Sequence, residues 1–145
     1  MVRIGILGCS NIAYTRFVPA AKRVKEAELV CAAEEYDKTK LEKFCSDCGV
    51  APEESFDALI ARDDIDAVYV PQPPALHYKW AKKALEAGKH VLVEKPATVS
   101  FDLTSDLVET AKKSSLALHE NYMFVYHSQI AAIRKLVEEG RIGDV

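Results

Sequence analysis

The stretch Val2-Arg3-Ile4-Gly5-Ile6-Leu7-Gly8-Cys9-Ser10-Asn11-Ile12-Ala13 constrains the fold most. An apolar, β-branched run of this length reads as a buried parallel strand, and the small residues behind it permit a tight turn into a helix. Free N–H groups at the start of such a helix can hold a pyrophosphate. Gly8 and Ala13 take the first and third places of a Gly-x-Gly-x-x-Gly/Ala turn. Ser10 stands at the middle place, where its hydroxyl can itself donate to a phosphate. Asn11 and Ile12 open the helix. An ordinary strand-turn-helix without a ligand fits the same residues, so the choice falls to residues further along.

Pro19 interrupts the first helix, which predicts a short piece, a bend near Val18 and a second piece to about Lys25. Leu29 to Ala33 is a second apolar run ending at Glu34-Glu35. An acid there can accept hydrogen bonds from an adenosine ribose and repel the extra phosphate of NADP, although Glu34 lies further from Gly8 than the usual ~20 residues. Surface charge is the other reading of this acidic pair. The pattern then predicts a helix from Asp37 to Cys48, a third strand or turn at Ser55-Phe56 and a short helix carrying Leu59 and Ile60. Asp66 to Val70 reads as a fourth strand, followed by Pro71-Gln72-Pro73-Pro74, a stiff loop that excludes helix and central strand. A helix from about Ala75 to Gly88 holds His77 in its first turn, where a histidine can also be a plain capping or surface residue.

His90 to Glu94 forms a fifth strand running into Lys95-Pro96. A lysine at a strand's carboxyl end, beside an acid and before a proline, is poorly explained by core packing. In extended chain Glu94 and Lys95 face opposite ways and can hold separate tasks. A helix from Phe101 or Asp102 to Ser114 and a strand from Ser115 to Glu120 follow. Strands alternating with helices predict an α/β, doubly wound parallel sheet of order 3-2-1-4-5-6, whose ligand crevice lies beyond the carboxyl ends of strands one and four. Residues 1–120 then form this sheet domain, a dinucleotide-binding one if the Gly8 turn holds a ligand, and 121–145, aromatic and then amphipathic, read as a crossover into something further.

Several function classes fall away. A net charge of −3 without a basic block gives little attraction to nucleic acid. No apolar run is long enough for a membrane span, and the amino terminus carries no export signal, so a cytoplasmic protein is expected. Cys45-x-x-Cys48 lacks the second ligand pair of a zinc site and ends a helix instead of starting one, so Cys9, Cys31, Cys45 and Cys48 read as structural and no metal is expected.

Taken together, the Gly8 turn, the acid after strand two, Pro73 to His77, Ala87-Gly88-Lys89-His90-Val91-Leu92-Val93, Glu94-Lys95-Pro96 and Glu138-Glu139-Gly140-Arg141-Ile142-Gly143 resemble the Gfo/Idh/MocA oxidoreductases over nearly the whole chain. The resemblance implies a Rossmann domain binding NAD or NADP, followed by a substrate domain that also mediates homo-oligomers and is absent here. It implies hydride transfer to or from a secondary alcohol or ketone of a sugar, sugar derivative or polyol. Lys95, partly buried, would bind the reacting oxygen and assist proton transfer. Glu94 would contact the nicotinamide end, Pro96 would follow a cis bond, and Pro71, Gln72, Pro73 and His77 would line the nicotinamide side. Pro74 replaces an asparagine common at that place in relatives. Glu34-Glu35 predicts NAD over NADP. A non-catalytic, cofactor-sensing regulator on the same fold is the alternative.

Overall fold

The computed structural model describes residues 1–143. Six parallel strands, β1 (Val2–Leu7), β2 (Ala27–Ala33), β3 (Ala51–Glu53), β4 (Ala67–Val70), β5 (His90–Val93) and β6 (Leu118–Glu120), form one sheet in the order β3-β2-β1-β4-β5-β6. That is the doubly wound order expected from the alternation of strands and helices. Successive strand residues feed opposite faces. Leu7, Cys31, Ala33, Val68, Val70, Val91 and Val93 pack on one side, and Ile6, Ala32 and Tyr69 on the other. With both faces covered the strands need no polar side, so they read as continuous apolar runs.

The first face is covered by α3 (Phe56–Ala61), α4 (Pro74–Glu86) and α5 (Phe101–Lys113) through Phe56, Leu59, Trp80, Leu85 and Leu107. The second is covered by α2 (Lys38–Cys48) and by a π-helical turn (Ala13–Phe17) that continues into α1 (Val18–Ala21). Pro19 sits in the first turn of α1, where its missing N–H is harmless, and the Val18 N–H reaches back to Ala13 O in the widened turn. The bend expected near Val18 takes this form, and α1 ends at Ala21, short of Lys25.

Other boundaries move for local chemical reasons. Ser55 is not in a strand. Its hydroxyl caps α3, accepting from Ala58 N at 3.0 Å, while the third strand lies earlier and tolerates Pro52 because it is an edge. Pro74 belongs to α4 as its first residue, a position that needs no N–H donor. β6 begins only at Leu118, because Ser115 turns the chain at φ 56° and Leu116 N closes α5 on Ala111 O. Glu94 falls just past β5, though its N–H still donates to Val70 O at 3.1 Å.

All four cysteines are free and buried, Cys45 and Cys48 on the inner side of α2. Among the described residues no helix is long and apolar enough to cross a membrane. Beyond β6, a 3₁₀ turn (Met123–Tyr126) and α6 (Ser128–Glu138) leave Met123, Phe124, Tyr126, Ile133 and Leu136 exposed.

Candidate functional site

At the carboxyl ends of the strands, β1 runs out at Leu7 and Gly8 N donates to Ala33 O at 2.9 Å, tying the turn to the end of β2. Gly8 adopts φ +118°, where a side chain is strained, and a Cβ there would collide with the Gln72 amide. Ser10 Oγ accepts from Ala13 N at 3.3 Å, leaving its own proton free to donate. The first helical bond runs from Tyr14 N to Ser10 O at 3.1 Å. The N–H groups of Ser10, Asn11 and Ile12 therefore stand ahead of the helix's own ladder, where an anion finds donors. Burial pushes the Cys9 thiol up to about 12, so at neutral pH it packs the turn as an uncharged group.

Glu34 ends β2 with its side chain 7% exposed. Oε2 accepts from Cys9 N at 3.3 Å and Lys40 Nζ at 3.1 Å, and Oε1 from Tyr36 N at 3.3 Å. Glu35 turns elsewhere: its Oε1 accepts from Phe56 N at 2.9 Å at the start of α3. The two carboxylates expected to act together thus part, and a cation joins the one that remains. A cleft of about 470 Å³ opens between Gly8, Ser10, Glu34, Tyr36 and Lys40 on one side and Pro71, Gln72, Pro73 and Leu76 on the other. The Gln72 amide also donates to Leu7 O, fastening the loop after β4 to the end of β1.

The neighbouring strand end carries Glu94 and Lys95. Glu94 is buried, and its Oε1 accepts from Tyr69 Oη at 2.6 Å and Asn121 Nδ2 at 2.7 Å. Burial and this carboxylate push the Tyr69 phenol well above its usual range, so it stays a donor. The Tyr69 ring stacks on Phe17 at 3.8 Å, and Glu94 and Ile12 line a second recess of about 270 Å³ beside them. Lys95 follows it out of β5. It is exposed, against the partial burial expected of it, and among the described residues it has no hydrogen-bond or ion-pair partner. The Lys95–Pro96 peptide bond is cis.

One cleft therefore gathers Gly8, Ser10, Glu34, Pro71, Gln72 and Pro73. Asn11 borders an adjoining recess with Lys40 and Lys43. His77 was expected along the nicotinamide side but is 1% exposed, with both ring nitrogens on backbone carbonyls beneath the loop. Sequence reading missed Lys40, Tyr69 and Asn121. Lys40 lies in the first turn of α2 and could have been sought as the counter-charge of Glu34. Nothing in an apolar strand marks Tyr69 as a ligand of Glu94.

Comparison with known proteins agrees with this geometry. Residues 2–122 match the family described as Gfo/Idh/MocA, "Oxidoreductase family, NAD-binding Rossmann fold". The chain is 44% identical over 144 residues to a dTDP-3,4-didehydro-2,6-dideoxy-alpha-D-glucose 3-reductase of Saccharopolyspora spinosa, covering 99% of this chain and 43% of that protein. KijD10, a 3-ketoreductase from Actinomadura kijaniata crystallised with TDP-benzene and NADP, is 39% identical with a TM-score of 0.92, covering 99% of this chain and 45% of that one. A putative myo-inositol dehydrogenase from Sinorhizobium meliloti 1021 gives a TM-score of 0.87 at 26% identity, covering 100% of this chain and 43% of that one. The chain thus spans less than half the length of these relatives. The turn at Gly8, the strand order and the family match over residues 2–122 lead to one conclusion: this chain belongs to the Gfo/Idh/MocA oxidoreductases and is an NAD(P)-binding Rossmann domain of that family.

Proposed function

We propose that this domain serves an oxidoreductase that moves a hydride between a nicotinamide cofactor and a secondary alcohol or ketone of a sugar-like substrate, the relatives pointing to nucleotide-linked sugars. The observation that carries the reading is the cleft itself, rimmed by a glycine turn at positive φ and an acid after the next strand, with Lys95 following β5 at the same end of the sheet. Gly8, Ser10, Asn11 and Ile12 would hold the pyrophosphate, Glu34 the adenosine ribose, Pro71 to Pro73 the wall, and Glu94 the nicotinamide end. The cofactor, when bound, supplies or takes the hydride. Lys95 hydrogen-bonds the reacting oxygen and moves a proton to or from it. The oligomer contacts would come from the substrate domain that the resemblance implies.

For cofactor choice, Glu34 still favours NAD, since it is an acceptor for ribose hydroxyls and a poor neighbour for a phosphate. Lys40 halves that argument by making the pair electrically neutral, and the KijD10 crystals contain NADP. Discrimination should therefore shrink to about tenfold, or about 1.4 kcal/mol. Fluorescence titration of the chain with NADH and NADPH is the test. NADH should bind about tenfold tighter, and Glu34→Ser, which releases Lys40 toward a phosphate, should reverse the order. Tighter binding of NADPH to the unaltered chain would remove Glu34 from the ribose site, and binding of neither would remove the cofactor reading.

A further inference from the structure

His77 is the least exposed of the buried polar side chains among the described residues, and it touches both the loop after β4 and the turn after β5. From the first turn of α4 its Nδ1 lies 2.7 Å from Pro96 O and its Nε2 2.5 Å from Gln72 O. Carbonyl oxygens only accept, so the neutral ring, with one N–H, donates to one of the two and lies against the other, and the doubly protonated ring donates to both. Gln72 forms part of the cleft wall and is fastened through its side chain to Leu7, beside the glycine turn. Pro96 follows Lys95 directly. A single ring, held in the core, spans the cofactor wall at one nitrogen and the lysine turn at the other.

The lysine has no partner of its own among the described residues, so its place is set by the backbone on either side. Before it, Glu94 N donates to Val70 O at 3.1 Å; after it come the Pro96 carbonyl on His77 and Ala97 N on Glu120 Oε1 at 2.6 Å. We infer that His77 is a positioning residue: through Pro96 it fixes the Lys95 turn, and through Gln72 it fixes the wall against which the cofactor lies. The inference rests on the assignment of Lys95 above. A histidine serving only as core filling would satisfy its polarity once and leave the other segment alone; this one links the two parts whose separation governs proton transfer.

The two halves separate chemically. The amide nitrogen of asparagine takes the place of Nδ1, and that of glutamine reaches the place of Nε2. In the full-length oxidoreductase, His77→Asn should keep kcat within about threefold while weakening NADH about tenfold, and His77→Gln should keep NADH affinity while kcat falls about 10- to 100-fold, the loss expected for ~1 Å of misplacement. His77→Ala should lose both. Should the alanine variant fail to fold, the opposed behaviour of asparagine and glutamine still carries the test. Equal losses in both amide variants, or no loss in either, would overturn the proposal. Lys95→Ala is run alongside: if it keeps wild-type kcat, the reading of the site falls, while NADH titration of the asparagine and glutamine variants still judges the Gln72 half by itself.

Discussion

Replacement of Lys95 by alanine in the full-length protein should lower kcat/KM by about 10²- to 10⁴-fold, the usual worth of a positioned proton-transfer group. NADH affinity should stay within about twofold, because the side chain is exposed and none of the described residues depends on it for a hydrogen bond or an ion pair. The separation of the two numbers is the content of the prediction. A group that acts only on the reacting oxygen lowers kcat without touching cofactor binding, whereas loss of a structural contact would move both. Arginine is not a conservative exchange here, since its guanidinium stays protonated and cannot return a proton. A non-catalytic regulator on the same fold would show no loss of any response on Lys95→Ala, and that outcome would replace the enzyme reading. Steady-state rates of NADH consumption with a sugar ketone, paired with a fluorescence titration, supply both numbers.

How far the sequence reaches depends on whether the decisive interaction is local. The sheet order was legible because each buried strand is an apolar run and each helix carries its own apolar stripe, and neither needs knowledge of its neighbours. The places of Gly8 just after β1 and Glu34 just after β2 were legible for the same reason: position after a strand is a local property. Glu35 was misjudged because its carboxylate is claimed by an amide 21 residues away, at Phe56, and no pattern within β2 announces that. Ser55-Phe56 reads as a third strand or turn because nothing beside Ser55 marks it as the helix cap it is, and Pro74 is excluded from a helix by a rule that does not hold in a first turn. His77 shows the deeper limit. As a residue type it reads as a capping or surface residue and by resemblance as a lining of the nicotinamide side, but its two partners are backbone oxygens from separate loops, brought together only when the sheet closes. The same holds for Tyr69 and Asn121 on Glu94, residues read as core and as crossover.

The turn at Gly8 yields the other large effect. Gly8→Ala should weaken NADH binding by more than about tenfold and lower stability by about 1–3 kcal/mol, the range for a side chain forced into a sparsely populated backbone region. Two costs contribute, and they can be told apart. The φ of +118° strains any residue with a Cβ, whatever surrounds it. The collision with the Gln72 amide is a separate matter: that amide is the far end of a flexible side chain and can swing away, but only by giving up its bond to Leu7 O and moving into the cleft. Gly49 provides the control. It ends α2 at φ +66°, has nothing within 4 Å of the place a Cβ would take, and lines no part of the cleft. Gly49→Ala should therefore cost stability of about 1 kcal/mol and leave NADH affinity unchanged. Urea unfolding of the two variants measures the strain, and NADH titration measures what remains. If Gly8→Ala lost only as much as Gly49→Ala in both experiments, the glycine would be there for the turn alone, and no ligand would need to approach it.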